Sequence, residues 1–107
     1  MAVRYTDAFK RQLERLSRRY RRIRADVQPV IDRLAADETP GDRIPGVALL
    51  LYKVRVKNSA AVRVKRSGLR IIYYLHTADD IRLVTIYSKS EQADIAPDEL
   101  KRIVARS

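Results

Sequence analysis

The sequence predicts an α+β fold in a single domain over residues 1–107: an N-terminal helical hairpin packed on a small twisted antiparallel sheet, with a short helix near the C-terminal end. Two observations predict it. Apolar residues recur at helical spacing before residue 35 and as strand-like runs after residue 49, and a loop rich in Pro and Gly separates the two regimes.

In chain order, Val3 to Tyr5 is a candidate first strand, followed by Thr6 or Asp7 as a helix cap whose short side chain accepts from the free amides of the first turn. Phe9, Leu13, Leu16 and Tyr20 form one helical stripe, and Ile23, Val27, Val30, Ile31 and Leu34 form a second. Pro29 fits the second helix if Asp26 opens it, because a missing amide costs little in a first turn; in a longer helix it would bring a kink. Thr39 to Asp42 and Ile44 to Gly46 read as loop. Strands are expected over Leu49 to Lys57, Leu69 to Thr77 and Ile81 to Tyr87, the last two joined by a turn at Ala78 to Asp80. The middle one is apolar on both faces and reads as central. Pro97 opens a final helix with Leu100, Ile103 and Val104 on one side. The expected order is β-α-α-β-β-β-α with the helices on one face of the sheet. Tyr5, Tyr20 and Tyr52 follow the apolar pattern and are expected in the core.

Charge is distributed unevenly. The net charge is +10, from 23 basic and 13 acidic residues, and the stretch from Arg43 to Ala78 holds eight of the basic residues and no Asp or Glu. Within it Lys53, Arg55 and Lys57 alternate with Tyr52, Val54 and Val56, which on a strand puts three cations on one face and an apolar row on the other. Alternating strand charges also guard against edge-to-edge aggregation. Here, however, seven cations from Lys53 to Arg70 crowd together without interspersed acids, and Arg63, Lys65, Arg66 and Arg70 extend the cluster beyond a turn around Asn58 to Ala61. Such a patch fits a polyanion, with nucleic acid first and an acidic protein segment or anionic membrane surface second. A further basic run, Arg18 to Arg24, reads as a solvated helix corner.

Other chemistries have little support. No apolar run approaches the roughly 18–20 residues that span a bilayer, and Met1 to Arg4 does not open a signal peptide, so a soluble, cytoplasmic protein is expected, with no membrane partner. There is no cysteine and one histidine, His76. No spacing suggests a metal site, a phosphate loop or a catalytic triad, and no cofactor is expected. Glu91 and Asp94 are expected to cap or pair locally.

Taken together, the paired helical stripes, the loop Pro40-Gly41-Asp42-Arg43-Ile44-Pro45-Gly46, the strand Tyr52-Lys53-Val54-Arg55-Val56-Lys57, the run Ser67-Gly68-Leu69-Arg70-Ile71-Ile72-Tyr73-Tyr74 and the run Ile86-Tyr87-Ser88-Lys89-Ser90-Glu91-Gln92-Ala93-Asp94-Ile95 resemble the RelE/ParE superfamily of bacterial toxin-antitoxin toxins, on its RelE/HigB-like mRNA interferase side. The resemblance covers nearly the whole chain. It implies a RelE-like fold, a cognate antitoxin as partner, and metal-independent cleavage of mRNA in the ribosomal A site, with translation inhibited. It places the site on the face of Lys53, Arg55 and Lys57, with Arg70 on the adjacent strand. Two features depart from RelE: Ser90 follows Lys89 where RelE carries an Arg, and no Tyr follows Tyr87. Tyr87 and Tyr74 are therefore the substitutes for the base-stacking group. Of a glycine pair common before the Arg70 position only Gly68 remains, which suggests a turn needing positive φ.

RNA brings its own nucleophile, the 2′-hydroxyl, so a nuclease need only remove its proton, steady the phosphorane charge and protonate the leaving 5′-oxygen. Lys53 or Lys57 is the candidate base, Arg55 and Arg70 hold phosphate charge because arginine grips it bidentately, and Lys89 is the candidate acid. Arg63, Lys65, Arg66, Tyr74 and Tyr87 are candidate RNA contacts. Two other classes compete: a ParE-like inhibitor of DNA gyrase that cuts nothing, and a non-catalytic RNA-binding module.

Overall fold

A computed structural model describes residues 2–59 and 68–106. Eight elements are described: β1 (Ala2–Tyr5), α1 (Asp7–Arg19), α2 (Ile23–Ala35), β2 (Asp42–Arg43), β3 (Leu51–Val56), β4 (Leu69–Thr77), β5 (Asp80–Ser88) and α3 (Pro97–Arg106). The strands form one sheet in the order β1-β5-β4-β3-β2. The α+β class is as expected, and three details differ. β1 runs parallel to β5, from Ala2 beside Asp80 to Tyr5 beside Leu83, so the sheet is mixed rather than antiparallel. The loop after α2 contributes a two-residue strand, β2, paired with Tyr52 and Lys53. The helices also divide between the two faces of the sheet.

α1 and α2 cover one face. Phe9 and Leu16 from α1 and Ile23, Val27, Val30 and Leu34 from α2 bury against Val54, Val56, Leu69, Ile71, Tyr73, Leu83 and Ile86. On the opposite face α3 brings Leu100, with Ile103 and Val104 beside it, onto Leu51, Ile72, Val84 and Tyr87. This second core covers one part of that face and leaves the end bearing Lys53 and Arg55 to the polar groups described below.

Local chemistry sets the ends of the elements. Thr6 caps α1, its hydroxyl accepting from the Phe9 amide at 3.0 Å and donating to the Val84 carbonyl at 2.6 Å. α2 begins at Ile23, not at Asp26, so Pro29 lies well inside it. It sits on the exposed side, where water can satisfy the Ala25 carbonyl that Pro29 cannot bond. The helix closes through Asp37, at φ 68°, with the amides of Asp37 and Glu38 bonding the carbonyls of Leu34 and Arg33. Tyr20 is buried and Tyr52 partly so, but Tyr5 is 41% exposed because β1 is the sheet's edge strand.

Candidate nucleic-acid interface

The alternation read along β3 is real: Tyr52, Val54 and Val56 face the α1/α2 core, and Lys53 and Arg55 face away from it. Lys57 lies just past the strand and is exposed. Pairing across the sheet then decides which residues meet. Arg55 is opposite Arg70, and Arg70 is opposite Tyr87, so the three make one row across β3, β4 and β5. At the usual strand spacing the row spans about 10 Å. Lys53, Ile72 and Thr85 form the adjacent row.

The position of Tyr87 depends on a bulge. Tyr73 pairs with Leu83, whereas Ile72 pairs with Thr85, so Val84 is the extra residue. Without it Ile86, a core residue of the other face, would stand opposite Arg70. The Thr6 hydroxyl bonds the carbonyl of this bulged residue, tying the start of α1 to the register of the site.

Arg70 is not the exposed strand cation that alternation suggests: it is only 7% exposed, and its guanidinium donates to the Leu69 carbonyl at 3.2 Å. Gly68 makes room for it. A Cβ on Gly68 would stand 3.0 Å from the Arg70 Nη1, so this glycine serves close approach; the turn expected before it lies outside the described residues. Gly41 is the glycine that needs both close approach and a positive φ, since its φ is +87° and a Cβ there would run into the Lys53 carbonyl.

Two acids reach the basic face from outside the acid-free stretch: Asp42 stands opposite Lys53 on β2, and Asp94 comes from the segment after β5. Asp94 lies 3.8 Å from the Lys53 Nζ, accepts from the Tyr87 hydroxyl at 3.4 Å, and accepts from the Ile95 amide at 2.9 Å. Glu91 anchors the segment that carries it, pairing with Arg15 at 2.9 Å and Arg19 at 3.3 Å on α1. The local bond expected of these acids is made by Asp94 to the Ile95 amide, while their ion pairs reach distant elements, Glu91 to α1 and Asp94 to β3. Asp94 is the site residue that the sequence reading missed. The one signal for it was that an acid-free cationic face must find any carboxylate elsewhere, and Glu91 and Asp94 follow the last strand.

Burial first, then the Asp94 charge and hydrogen bond, push the Tyr87 phenol up to about 12, with the Arg70 charge opposing. Tyr87 is therefore a neutral hydroxyl at physiological pH, a donor and not a base. Its ring is 2% exposed, while Tyr74 is partly exposed and its ring lies 5.4 Å from that of His76. Of the two candidate stacking rings, Tyr74 has the more open one. Lys89 is exposed past the end of β5, its amide bonding the Gly68 carbonyl at 3.0 Å, which brings it to the Arg70 end of the sheet. Arg63, Lys65 and Arg66 lie outside the described residues.

The face thus combines paired guanidiniums and an ammonium with a neutral phenol and the carboxylates of Asp42 and Asp94, a set able to grip a phosphodiester and to exchange protons beside it. Among the described residues no three His, Cys, Asp or Glu side chains stand together as metal ligands, and no helix is long and apolar enough to cross a membrane. No protein-family model matches the chain, and no curated protein sequence matches it.

Proposed function

We propose that this protein is the toxin of a type II toxin-antitoxin system, a RelE/HigB-like, ribosome-dependent mRNA endoribonuclease that works without a metal ion in the cytoplasm. The observation that carries the reading is the cross-strand row Arg55, Arg70 and Tyr87 beside Lys53, a cationic sheet face with a hydrogen-bonding phenol at its end. In this reading the chain's α1 and α2 are the RelE-type helical hairpin.

The chemistry follows from the groups on that face. Arg55 and Arg70 hold the scissile phosphate, and their charge meets that of the phosphorane. The 2′-oxygen attacks phosphorus as Lys53 or Lys57 takes its proton, the bond to the 5′-oxygen breaks, and Lys89 supplies the proton the leaving oxygen needs. Tyr74 stacks on a neighbouring base. Asp94 competes with phosphate for Lys53 and yields when RNA arrives. The cognate antitoxin covers the same face with an acidic or amphipathic segment, as charge complementarity favours.

End-group chemistry tests the reaction. Ribosomes programmed with mRNA are treated with the protein, and the fragments are offered to polynucleotide kinase. Direct labelling marks 5′-hydroxyl ends, the product of 2′-hydroxyl attack; fragments that label only after phosphatase treatment would refute the assignment. Pulse labelling after brief induction separates the classes, since loss of protein synthesis is expected here, whereas loss of DNA synthesis would mean a gyrase inhibitor and uncut mRNA a non-catalytic RNA binder.

A further inference from the structure

β1 leaves the sheet early. Its pairing with β5 ends at Tyr5 beside Leu83, so Thr85 and Tyr87 on β5 have no strand at that edge. Instead the edge forms the floor of a cleft of about 240 Å³ between α1 and α3. Arg11 and Gln12 line it from α1, and Arg102 and Arg106 from α3. The two α3 arginines are four residues apart and so share one helix face. A smaller hollow of about 150 Å³, also lined by Arg11 and Arg106, extends it toward Asp7.

Among the described residues, the side chains of Arg11, Arg102 and Arg106 make no ion pair or hydrogen bond, in contrast to those of Arg15 and Arg19 on the same helix as Arg11, which Glu91 engages. Glu99 is the one carboxylate in the lining of the main cleft and pairs with none of them. Arg106, in the last turn of α3, also answers the helix dipole, a role that does not extend to Arg11 at the middle of α1. Three uncommitted guanidiniums thus surround a polar hollow, and Tyr87 belongs both to its wall and to the row Arg55, Arg70 and Tyr87.

We propose that this α1–α3 cleft is a second phosphate site, which holds the RNA backbone beyond the cleavage face and extends the bound strand past Tyr87 and around the edge of β5. The inference rests on the RNA reading of the sheet face. It assigns Arg11, Arg102 and Arg106 to backbone positioning and gives them no part in cleavage. Arginine suits the task because its planar fork grips phosphate oxygens in pairs and keeps its charge at any working pH.

The test is binding of fluorescein-labelled 2′-O-methyl RNA, which lacks the nucleophile, in a four-nucleotide and a twelve-nucleotide form, by anisotropy across a salt series. The variants are Arg102→Gln/Arg106→Gln and its conservative counterpart Arg102→Lys/Arg106→Lys. For the longer RNA the glutamine variant is expected to bind roughly tenfold more weakly and its salt slope to fall by roughly 1.4, the release from two single-strand phosphate contacts. The lysine variant should keep the wild-type slope, and the shorter RNA should bind all three proteins alike. These side chains are exposed, so the melting temperature should not move. An unchanged slope and affinity for the longer RNA, with wild-type binding intact, would overturn the cleft assignment and leave the nuclease reading standing. If the slope falls but mRNA fragments lack 5′-hydroxyl ends, the cleft stands and the nuclease reading fails. A wild-type protein that binds neither RNA overturns the cleft assignment, while the end groups of mRNA cut on ribosomes decide the nuclease reading separately.

Discussion

Arg55 and Arg70 stand directly opposite one another on β3 and β4, two guanidiniums in a single cross-strand pair. Like charges so placed are destabilising by roughly 0.2–1 kcal/mol, a cost that a purely structural sheet has no reason to carry. Arg55→Gln should therefore raise stability by that amount, read from urea denaturation, while abolishing growth arrest on induction. Retention of arrest at equal expression would remove Arg55 from the site, and a loss of stability would mean that Arg55 supports the fold.

Arg70 tests the opposite case. It is nearly buried, so simple loss of activity in Arg70→Ala cannot separate chemistry from stability. Gly68→Ala separates them. The new methyl meets the Arg70 Nη1 at 3.0 Å, a flexible side-chain end that can swing aside. The strain is partly offset by the smaller entropy of the unfolded chain, worth about 0.4–1 kcal/mol. Stability should stay within about 1 kcal/mol of wild type while cleavage falls at least about tenfold, the effect of roughly 1.4 kcal/mol on the barrier. Gly41→Ala is the contrast, with a φ of +87° and backbone in the way; it should destabilise by roughly 2 kcal/mol or more. Wild-type cleavage in Gly68→Ala would show that the displaced guanidinium is not used.

These two sites also show how far the sequence could be read. The period-two pattern of β3 was legible from Tyr52 onward because Tyr52, Val54 and Val56 are apolar and inward while Lys53 and Arg55 are charged and outward, and β4 runs over the residues its apolar run marked, Leu69–Thr77. β1 was expected, but four edge residues carry no pattern that names their partner or its direction. The stripe Leu100, Ile103 and Val104 announced a packed helix, yet amphipathicity cannot say which face of a sheet it covers. At the site, alternation brought Lys53 and Arg55 together, but the Arg70 and Tyr87 pairing depends on a one-residue bulge at Val84. Asp94 lies far along the chain from Lys53, and a contact of that range leaves no periodic trace.

Alkaline pH should weaken the fold through Tyr73. Its side chain is fully buried, stacked 5.2 Å from Tyr52, and its hydroxyl donates to the Pro40 carbonyl at 2.6 Å. Burial first, then the nearby Tyr52, raise its pKa above the ordinary tyrosine value, with Arg33 opposing. The sign follows from linkage. Below about pH 10 the phenol is neutral in both states and its contribution is complete; above it the unfolded chain releases the proton while the folded one holds it, so stability falls as pH rises toward the folded pKa. Urea midpoints should hold up to about pH 10 and decline from there to about pH 11. Tyr73→Phe should flatten the decline and, by leaving the Pro40 carbonyl without its donor, should cost about 1–3 kcal/mol at neutral pH. An unchanged alkaline slope in Tyr73→Phe would rule this tyrosine out as the source.

Asp94→Asn tests the carboxylate that pairs with Lys53 on the cationic face. Asparagine keeps the size and a hydrogen-bond acceptor for Tyr87 but removes the charge that pairs with Lys53. Burial remains, so the Tyr87 phenol should fall from about 12 only part of the way toward its ordinary value, a shift that NMR of the labelled ring can follow directly. At the same time the face gains one net positive charge and Lys53 is released to phosphate. RNA affinity should rise, by roughly fivefold if the lost repulsion is worth about 1 kcal/mol, with a steeper salt dependence. Asp94→Ala should show the same gain in affinity, since it removes the same charge, and should free the Tyr87 hydroxyl as well. If both variants bind RNA no more tightly than wild type while the Tyr87 titration shifts as described, Asp94 tunes the tyrosine alone and does not compete with phosphate for Lys53.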